Sequence, residues 1–124
     1  MPPEDKLTAA SANGNVFAVR ELLMNGVLVN RKNSFGHSAV QVMMMGSTAV
    51  AQALLEHGAD PNVADGKTGA TPLHDAARAG FLDTVRLLVI FQANPQVRDL
   101  AMCLPADLAR QNGHEDVVAF LESL

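Results

Sequence analysis

The stretch Thr71-Pro72-Leu73-His74-Asp75-Ala76-Ala77-Arg78-Ala79-Gly80 decides how this chain folds. Thr71 suits the N-cap of a helix, because its hydroxyl can accept an unpaired backbone N–H. Pro72 suits the first helical position, where its missing N–H costs nothing. Gly80 can end the helix because glycine readily adopts a left-handed conformation. The stretch therefore predicts one short helix.

Gly80 belongs to a series of glycines at intervals of 32, 34 and 33 residues: Gly14, Gly46, Gly80 and Gly113. A leucine stands eight residues after each of them, namely Leu22, Leu54, Leu88 and Leu121. Between Gly80 and the turn that follows, Leu82, Val85 and Leu88 have the spacing of one buried helical stripe. A period near 33 with two helices per period predicts an array of stacked helix pairs.

Composition limits the partners of such an array. Charged residues make up 18% of the 124 residues and apolar residues 48%, which indicates an ordered domain. The net charge of −4 argues against nucleic acid and anionic membranes as partners. Cys103 is the single cysteine, so no internal disulfide can form. The first residues lack the apolar run of a signal peptide, and Leu87–Phe91 is far too short to span a bilayer. We expect a soluble intracellular protein.

Turn residues follow each second helix, in the stretches Asn25-Gly26, His57-Gly58-Ala59-Asp60-Pro61-Asn62 and Gln92-Ala93-Asn94-Pro95. Together with the Thr-Pro-Leu-His start, this pattern resembles the ankyrin repeat. The resemblance implies an all-α solenoid of four helix-turn-helix repeats with extended hairpin fingers between them. It gives a short tail at residues 1–5 and one domain at residues 6–124, with repeats at about 6–32, 33–65, 66–98 and 99–124. It also implies structural roles for Thr71, His74 and Gly80.

The pattern decays in places. Repeat two is one residue short before Gly46, and Gln92 stands where the turn glycine belongs. No polar capping repeat follows the last helix, so we expect low overall stability. Methionines occupy positions 43, 44 and 45. Three consecutive helical positions lie about 100° apart, so at least one of these side chains should point outward.

Equivalent positions of a repeat should share a structural role, so an exception suggests an added function. Five residues before the marker glycine, or four in repeat two because it is one residue short, the repeats carry Ala9, Val42, Asp75 and Leu108. One residue after it they carry Asn15, Ser47, Phe81 and His114. Asp75 is the only charged member of the first set, and it either complements the helix dipole or faces a partner. Phe81 is the only apolar member of the second set, and it either packs under a neighbouring repeat or anchors an interface. Arg78 lies three residues after Asp75, a helical spacing that predicts a local ion pair between them.

Catalytic constellations are missing from the sequence. The four histidines fall at unrelated repeat positions, without a His-x-x-x-His pair or a Cys-His cluster. Cys103 has no context typical of a nucleophile, and no glycine-rich phosphate loop occurs. We therefore expect no enzymatic activity, no metal and no cofactor.

Longer stretches resemble one group of ankyrin proteins, the small inhibitors of cyclin D-dependent kinases. They are Asn33–Gly36, Val42–Ser47, His74–Thr84 and Val97–Asp99, together with Gln41 in a shortened first helix of repeat two. The resemblance implies a non-catalytic, monomeric inhibitor of cyclin-dependent kinases 4 and 6, found in the cytoplasm and the nucleus. Such an inhibitor grips the kinase beside its ATP cleft, rotates the lobes and weakens cyclin and ATP binding. The result is arrest in the first gap phase.

The resemblance also assigns kinase contacts residue by residue: Asp75, Asp65, Phe81, Arg78, Met44, Met45, Asn33, Ser34 and Phe35. Asp75 matches an aspartate that pairs with a kinase arginine. Phe17 departs from the family, in which many members carry an acid there, and Leu100-Ala101-Met102 departs from the usual Trp-Gly turn. A generic ankyrin adaptor for another protein is the second hypothesis. A metal-dependent or thiol enzyme is a distant third.

Overall fold

The computed structural model describes residues 1–124 and contains eight helices and no strand. The helices are α1 (Pro3–Ala12), α2 (Val16–Met24), α3 (Ala39–Val42), α4 (Thr48–Glu56), α5 (Pro72–Ala79), α6 (Leu82–Ile90), α7 (Pro105–Gln111) and α8 (Glu115–Glu122). They form four pairs, each joined by a turn that contains one of the marker glycines. The predicted all-α architecture of four helix-turn-helix repeats is confirmed. Helix α1 includes residues 3–5, which the sequence placed in a tail. None of the helices is long and apolar enough to cross a membrane.

The chain divides into two compact units, residues 1–60 and 61–124. In the first unit, α1 packs against α2 and α3, and α4 packs against α2 and α3. Its largest fully buried side chains are Leu7, Val19, Val40, Val50 and Leu54. In the second unit, α5 packs against α6 and α7, and α8 packs against α6 and α7. Its largest fully buried side chains are Leu73, His74, Val85, Leu88 and Val117. The repeat boundaries predicted from the sequence stay predictions.

Helix α5 begins as its sequence predicts. Thr71 is the N-cap, and its side-chain oxygen accepts the backbone N–H of His74 at 3.4 Å. The Nδ1 atom of His74 accepts the backbone N–H of Thr71 at 3.1 Å, which assigns the ring proton to Nε2. Nε2 then donates to the carbonyl oxygen of Cys103 at 2.9 Å. The buried imidazole therefore ties the start of α5 to the segment that precedes α7.

Gly80 ends α5 with a φ of 82°, in the left-handed region. A Cβ atom at this position would lie 2.5 Å from Nδ1 of His114. The His114 residue is the N-cap of α8 in the next helix pair. Only glycine satisfies both the backbone conformation and the close approach of the imidazole ring.

Helix α3 has four residues, compared with eight in α5, which confirms the predicted shortening in repeat two. It ends because Met43, its C-cap, already has an extended ψ of 152°. The methionine triplet therefore follows the helix, and the prediction that it lies on a helix is wrong. Met43 is 3% exposed and belongs to the core, whereas Met44 is 45% exposed. Met44 does point outward, as expected for one member of the triplet. The reason is the extended backbone after α3, and not the angle between consecutive helical positions.

Candidate functional site

Three hairpin turns connect the helix pairs, and we call residues 33–37, 65–70 and 99–103 the first, second and third fingers. Each finger begins with Asn33, Asp65 or Asp99, whose backbone N–H donates to the carbonyl of the last finger residue at 2.8–2.9 Å. The Oδ1 atom of the same residue accepts two backbone N–H groups within the turn at 2.7–3.1 Å. These side chains therefore hold the fingers in shape, a structural role that the sequence analysis missed. A kinase contact by Asn33 or Asp65 stays a prediction.

The first finger is also bound to α1. The backbone N–H and the hydroxyl of Ser34 both donate to the Asp5 carboxylate, at 2.8 and 2.6 Å. These two hydrogen bonds lower the pKa of Asp5, with the hydroxyl as the larger cause. The side-chain amide of Asn33 donates to Thr8 Oγ1 at 3.0 Å. Phe35, by contrast, is 84% exposed at the tip of the finger. Of the predicted contacts in this finger, Ser34 and Phe35 are exposed and Asn33 is half-buried, and Phe35 is the apolar one.

Met44 and Met45 follow α3 in the first unit. The backbone N–H of Met44 donates to the carbonyl of Ser11 at 2.9 Å, at the end of α1. Its sulfur lies over Gly14, where a Cβ atom would be only 2.7 Å away. Met45 is half-buried. Met44 thus presents a partly exposed thioether, which adapts well to an apolar partner surface.

Asp75 occupies the first turn of α5 in the second unit. Its side chain is 34% exposed, and Oδ1 lies 3.4 Å from Nη1 of Arg78, which is 48% exposed. Burial raises the pKa of Asp75 above its ordinary value, although the charges of Arg78 and His74 act in the opposite direction. The negative charge of Asp65 raises it further. The local ion pair expected for Arg78 is present, yet it does not offset the desolvation of the carboxylate.

The position equivalent to Asp75 in the last repeat shows what the fold alone would place there. Leu108 stands in α7 at this position and is 7% exposed. An apolar side chain suits the position, so the carboxylate of Asp75 lies where the fold favours a hydrophobic residue. A desolvated acid with a raised pKa at such a position is typical of a functional site.

Phe81 is the N-cap of α6 and forms no capping hydrogen bond. At the equivalent N-caps of the first unit, Asn15 accepts the N–H of Ala18 at 3.1 Å and Ser47 accepts the N–H of Val50 at 3.2 Å. Phe81 is 43% exposed. The phenyl group therefore replaces a stabilising cap and leaves much of its apolar surface in water. Its role as an interface anchor stays a prediction.

The nine predicted contacts divide between the two units. Five lie in the first unit: Asn33, Ser34, Phe35, Met44 and Met45. Four lie in the second unit: Asp65, Asp75, Arg78 and Phe81. Within the second unit, Asp75 forms an ion pair with Arg78, and the negative charge of Asp65 raises the pKa of Asp75. No group of three or more His, Cys, Asp or Glu side chains is placed to hold a metal ion.

Residues 7–99 match the protein family described as ankyrin repeats, in three copies. Together with the four helix pairs, this match makes the chain an ankyrin-repeat protein.

Three relatives define the group more closely. The chain is 51% identical to human "Cyclin-dependent kinase inhibitor 2A", over 98% of this chain and 78% of the relative. It is 53% identical to "Cyclin-dependent kinase 4 inhibitor B" of Bos taurus, over 94% of this chain and 89% of the relative. The human protein of the latter name is 50% identical, over 97% of this chain and 87% of the relative. The chain belongs to the family of ankyrin-repeat cyclin-dependent kinase inhibitors.

Proposed function

We propose that this chain inhibits cyclin D-dependent kinases 4 and 6 by binding the kinase directly. The observation that carries the proposal is an identity of about one half, over nearly the whole chain, to proteins named as inhibitors of cyclin-dependent kinases. The proposed complex contains one copy of the chain, forms in the cytoplasm and the nucleus, and arrests the cell in the first gap phase. The chain itself performs no catalysis.

Asp75 is the proposed centre of the interface. Its carboxylate is partly desolvated, and its one ion pair in the free chain is the long contact with Arg78. A kinase arginine can approach the remaining carboxylate surface with two parallel N–H donors, a geometry that strengthens charge-assisted hydrogen bonds. Because much of the desolvation of Asp75 already exists in the free protein, binding requires less additional loss of water. The carboxylate is therefore preorganised for a cation.

Phe81 supplies the apolar part of this surface. Aromatic side chains that fill a partner pocket are common interface hot spots. A phenylalanine at an N-cap lowers the stability of the free protein relative to serine or asparagine, so a binding role explains why it stands there. Arg78 lies between Asp75 and Phe81 in sequence and holds the carboxylate in position.

Inhibition requires more than binding. A ligand changes a conformational equilibrium only through different affinities for the two states. We propose that the chain binds the kinase beside its ATP cleft and prefers a state in which the two lobes are rotated. Cyclin and ATP prefer the active state, so they and the inhibitor weaken each other's binding by the same factor.

Calorimetric titration of purified cyclin-dependent kinases 4 and 6 tests the proposal. Wild type is expected to bind, and Asp75→Ala to lose about 2–5 kcal/mol because the kinase arginine is left unpaired. Glu115→Ala, which removes an exposed acid in the first turn of α8, is the matched control and should bind like wild type. A chain that binds neither kinase would instead be an adaptor for another protein. Equal affinities for Asp75→Ala and wild type would refute the assigned site.

A further inference from the structure

The third finger keeps the turn of the other two fingers without their glycine. The first and second fingers have Gly36 and Gly69 in the left-handed region, with φ values of 83° and 72°. In the third finger, Met102 adopts a φ of 66° at the equivalent place. Glycine adopts this conformation without steric conflict, whereas the Cβ atom of any other L-residue is crowded by the backbone. The third finger therefore carries backbone strain that a single substitution would remove.

The residues at the tip of this strained turn are apolar and face solvent. Leu100 is 70% exposed and Met102 is 67% exposed, with Ala101 exposed between them. The turn beneath them is well held: the Asp99 carboxylate accepts the N–H groups of Ala101 and Cys103, each at 2.9 Å. The tip is thus a preformed apolar surface, which loses little conformational freedom on contact with a partner.

The third finger lies directly beside the second. The backbone N–H of Leu100 donates to the carbonyl of Thr68 at 2.9 Å. Gly69 has no side chain there, and a Cβ atom would lie 3.0 Å from Cγ of Leu100. A protein that covers the second finger, which contains the predicted contact Asp65, would therefore also meet the tip of the third finger.

We propose that Leu100, Ala101 and Met102 form an apolar contact with the same kinase, next to the second finger. This proposal rests on the proposed function and extends its interface. The occupant is the kinase because the third finger is hydrogen-bonded to the second finger, which contains Asp65, a residue predicted to contact the kinase. Leucine and methionine side chains fit an apolar patch on the kinase, and methionine adjusts its shape to it. Contact with the kinase gives a reason for a strained, exposed methionine where the other two fingers have glycine.

Met102→Gly tests the backbone strain and the kinase contact at once, because the two predict opposite effects on stability and on affinity. The variant should unfold at a higher urea concentration than wild type, because the left-handed strain is relieved. It should also bind cyclin-dependent kinase 4 at least about fivefold more weakly in a calorimetric titration, as expected for a contributing interface side chain. Glycine could weaken binding through flexibility alone, so Leu100→Ala is the second variant. It should lose affinity to a similar extent while it keeps the backbone of the turn.

Gln92→Gly is the matched control. Gln92 has a φ of 75° where the equivalent turns of repeats one and two have Gly26 and Gly58, with φ values of 91° and 89°. The control should also raise the urea midpoint but leave kinase affinity unchanged, since Gln92 lies outside the fingers. Equal loss of affinity in the control would overturn the proposal. So would wild-type affinity in both finger variants.

Asp75→Ala distinguishes a failure of the proposed third-finger contact from a failure of the proposed kinase inhibition. If Asp75→Ala loses binding while both finger variants bind like wild type, the third finger makes no contact and the proposed function stands. If wild type itself binds neither kinase, the proposed function fails and the finger contact fails with it. A lower urea midpoint for Met102→Gly would show that position 102 is not strained, and would remove the reason for the proposal.

Discussion

Replacing Asp75 by Asn is expected to stabilise the free protein at neutral pH. The direction follows from the pKa of Asp75, which burial raises above the model-compound value of 3.8. An acid with a raised pKa in the folded state binds more protons when folded than when unfolded. The free energy of unfolding therefore falls as the pH rises from 3.8 through the folded-state pKa. At neutral pH the ionised carboxylate lowers stability, and asparagine removes that charge while it preserves the shape.

The expected stabilisation by Asp75→Asn is small. The raised pKa already includes the favourable charge of Arg78, so loss of this pair does not reverse the sign. Both side chains are about one-third exposed or more, and solvent screens interactions at such positions. We therefore expect an increase in the free energy of unfolding of less than about 1 kcal/mol at pH 7, on the scale of other partly exposed charges. Well below pH 3.8 the pH-dependent part of the gain should vanish, because Asp75 is then neutral in both the folded and the unfolded state.

Urea denaturation of wild type and Asp75→Asn between pH 3 and pH 7 measures this difference. The two stability curves should coincide at the acid end and separate as the pH rises, with the variant more stable. Curves that stay parallel over the whole range would refute the desolvation of Asp75. A variant less stable than wild type by more than about 1 kcal/mol at pH 7 would show that the carboxylate has a structural role instead.

Three further substitutions test other parts of the structure. Gly80→Ala should lower the free energy of unfolding by about 2 kcal/mol or more in urea denaturation. The substitution strains the left-handed backbone and places a methyl group against His114. A change below about 0.5 kcal/mol would contradict this packing. Ser47→Ala should cost about 1 kcal/mol through loss of the N-cap of α4, and an unchanged urea midpoint would show that the cap contributes nothing. Ser34→Ala should bring the pKa of Asp5 back toward its ordinary value in an NMR titration, and an unchanged titration would exclude the hydroxyl as the main cause.

The repeat could be predicted from the sequence because it depends on short-range signals. Thr71, Pro72 and Gly80 specify the start and end of α5 through backbone chemistry that does not depend on the rest of the fold. Spacing of the leucines then identifies the buried face of each second helix. The shortened first helix of repeat two was also predictable, since one residue is missing before Gly46.

The conformation of irregular segments could not be predicted in the same way. The sequence pattern predicts the methionine triplet on a helix, but extended backbone at Met43 ends α3 before the triplet. The finger turns had a signal, the recurrence of Asn33, Asp65 and Asp99 at intervals of 32 and 34 residues. These are the intervals of the first three marker glycines, and aligning polar residues with the glycines would have revealed the turns.

The candidate site could be predicted in part. Comparison of equivalent positions singled out Asp75 and Phe81, and the structure supplies the reasons they are unusual: a desolvated carboxylate and an N-cap without a capping oxygen. Left-handed backbone at Met102 could not be read from its residue type, because methionine rarely adopts it. A residue that differs from its equivalents in the other repeats can thus be found in the sequence. Its effect on stability or binding can be judged only from the residues packed around it.

The most direct test of the central claim is an inhibition titration of cyclin D-bound cyclin-dependent kinase 4. The rate of substrate phosphorylation is measured against increasing concentrations of wild type and of Asp75→Asn. Wild type should abolish the activity, and the variant should require at least about 30-fold more protein, the equivalent of about 2 kcal/mol. Full inhibition by Asp75→Asn at the wild-type concentration would contradict the role of the carboxylate, and no inhibition by wild type would contradict the function itself.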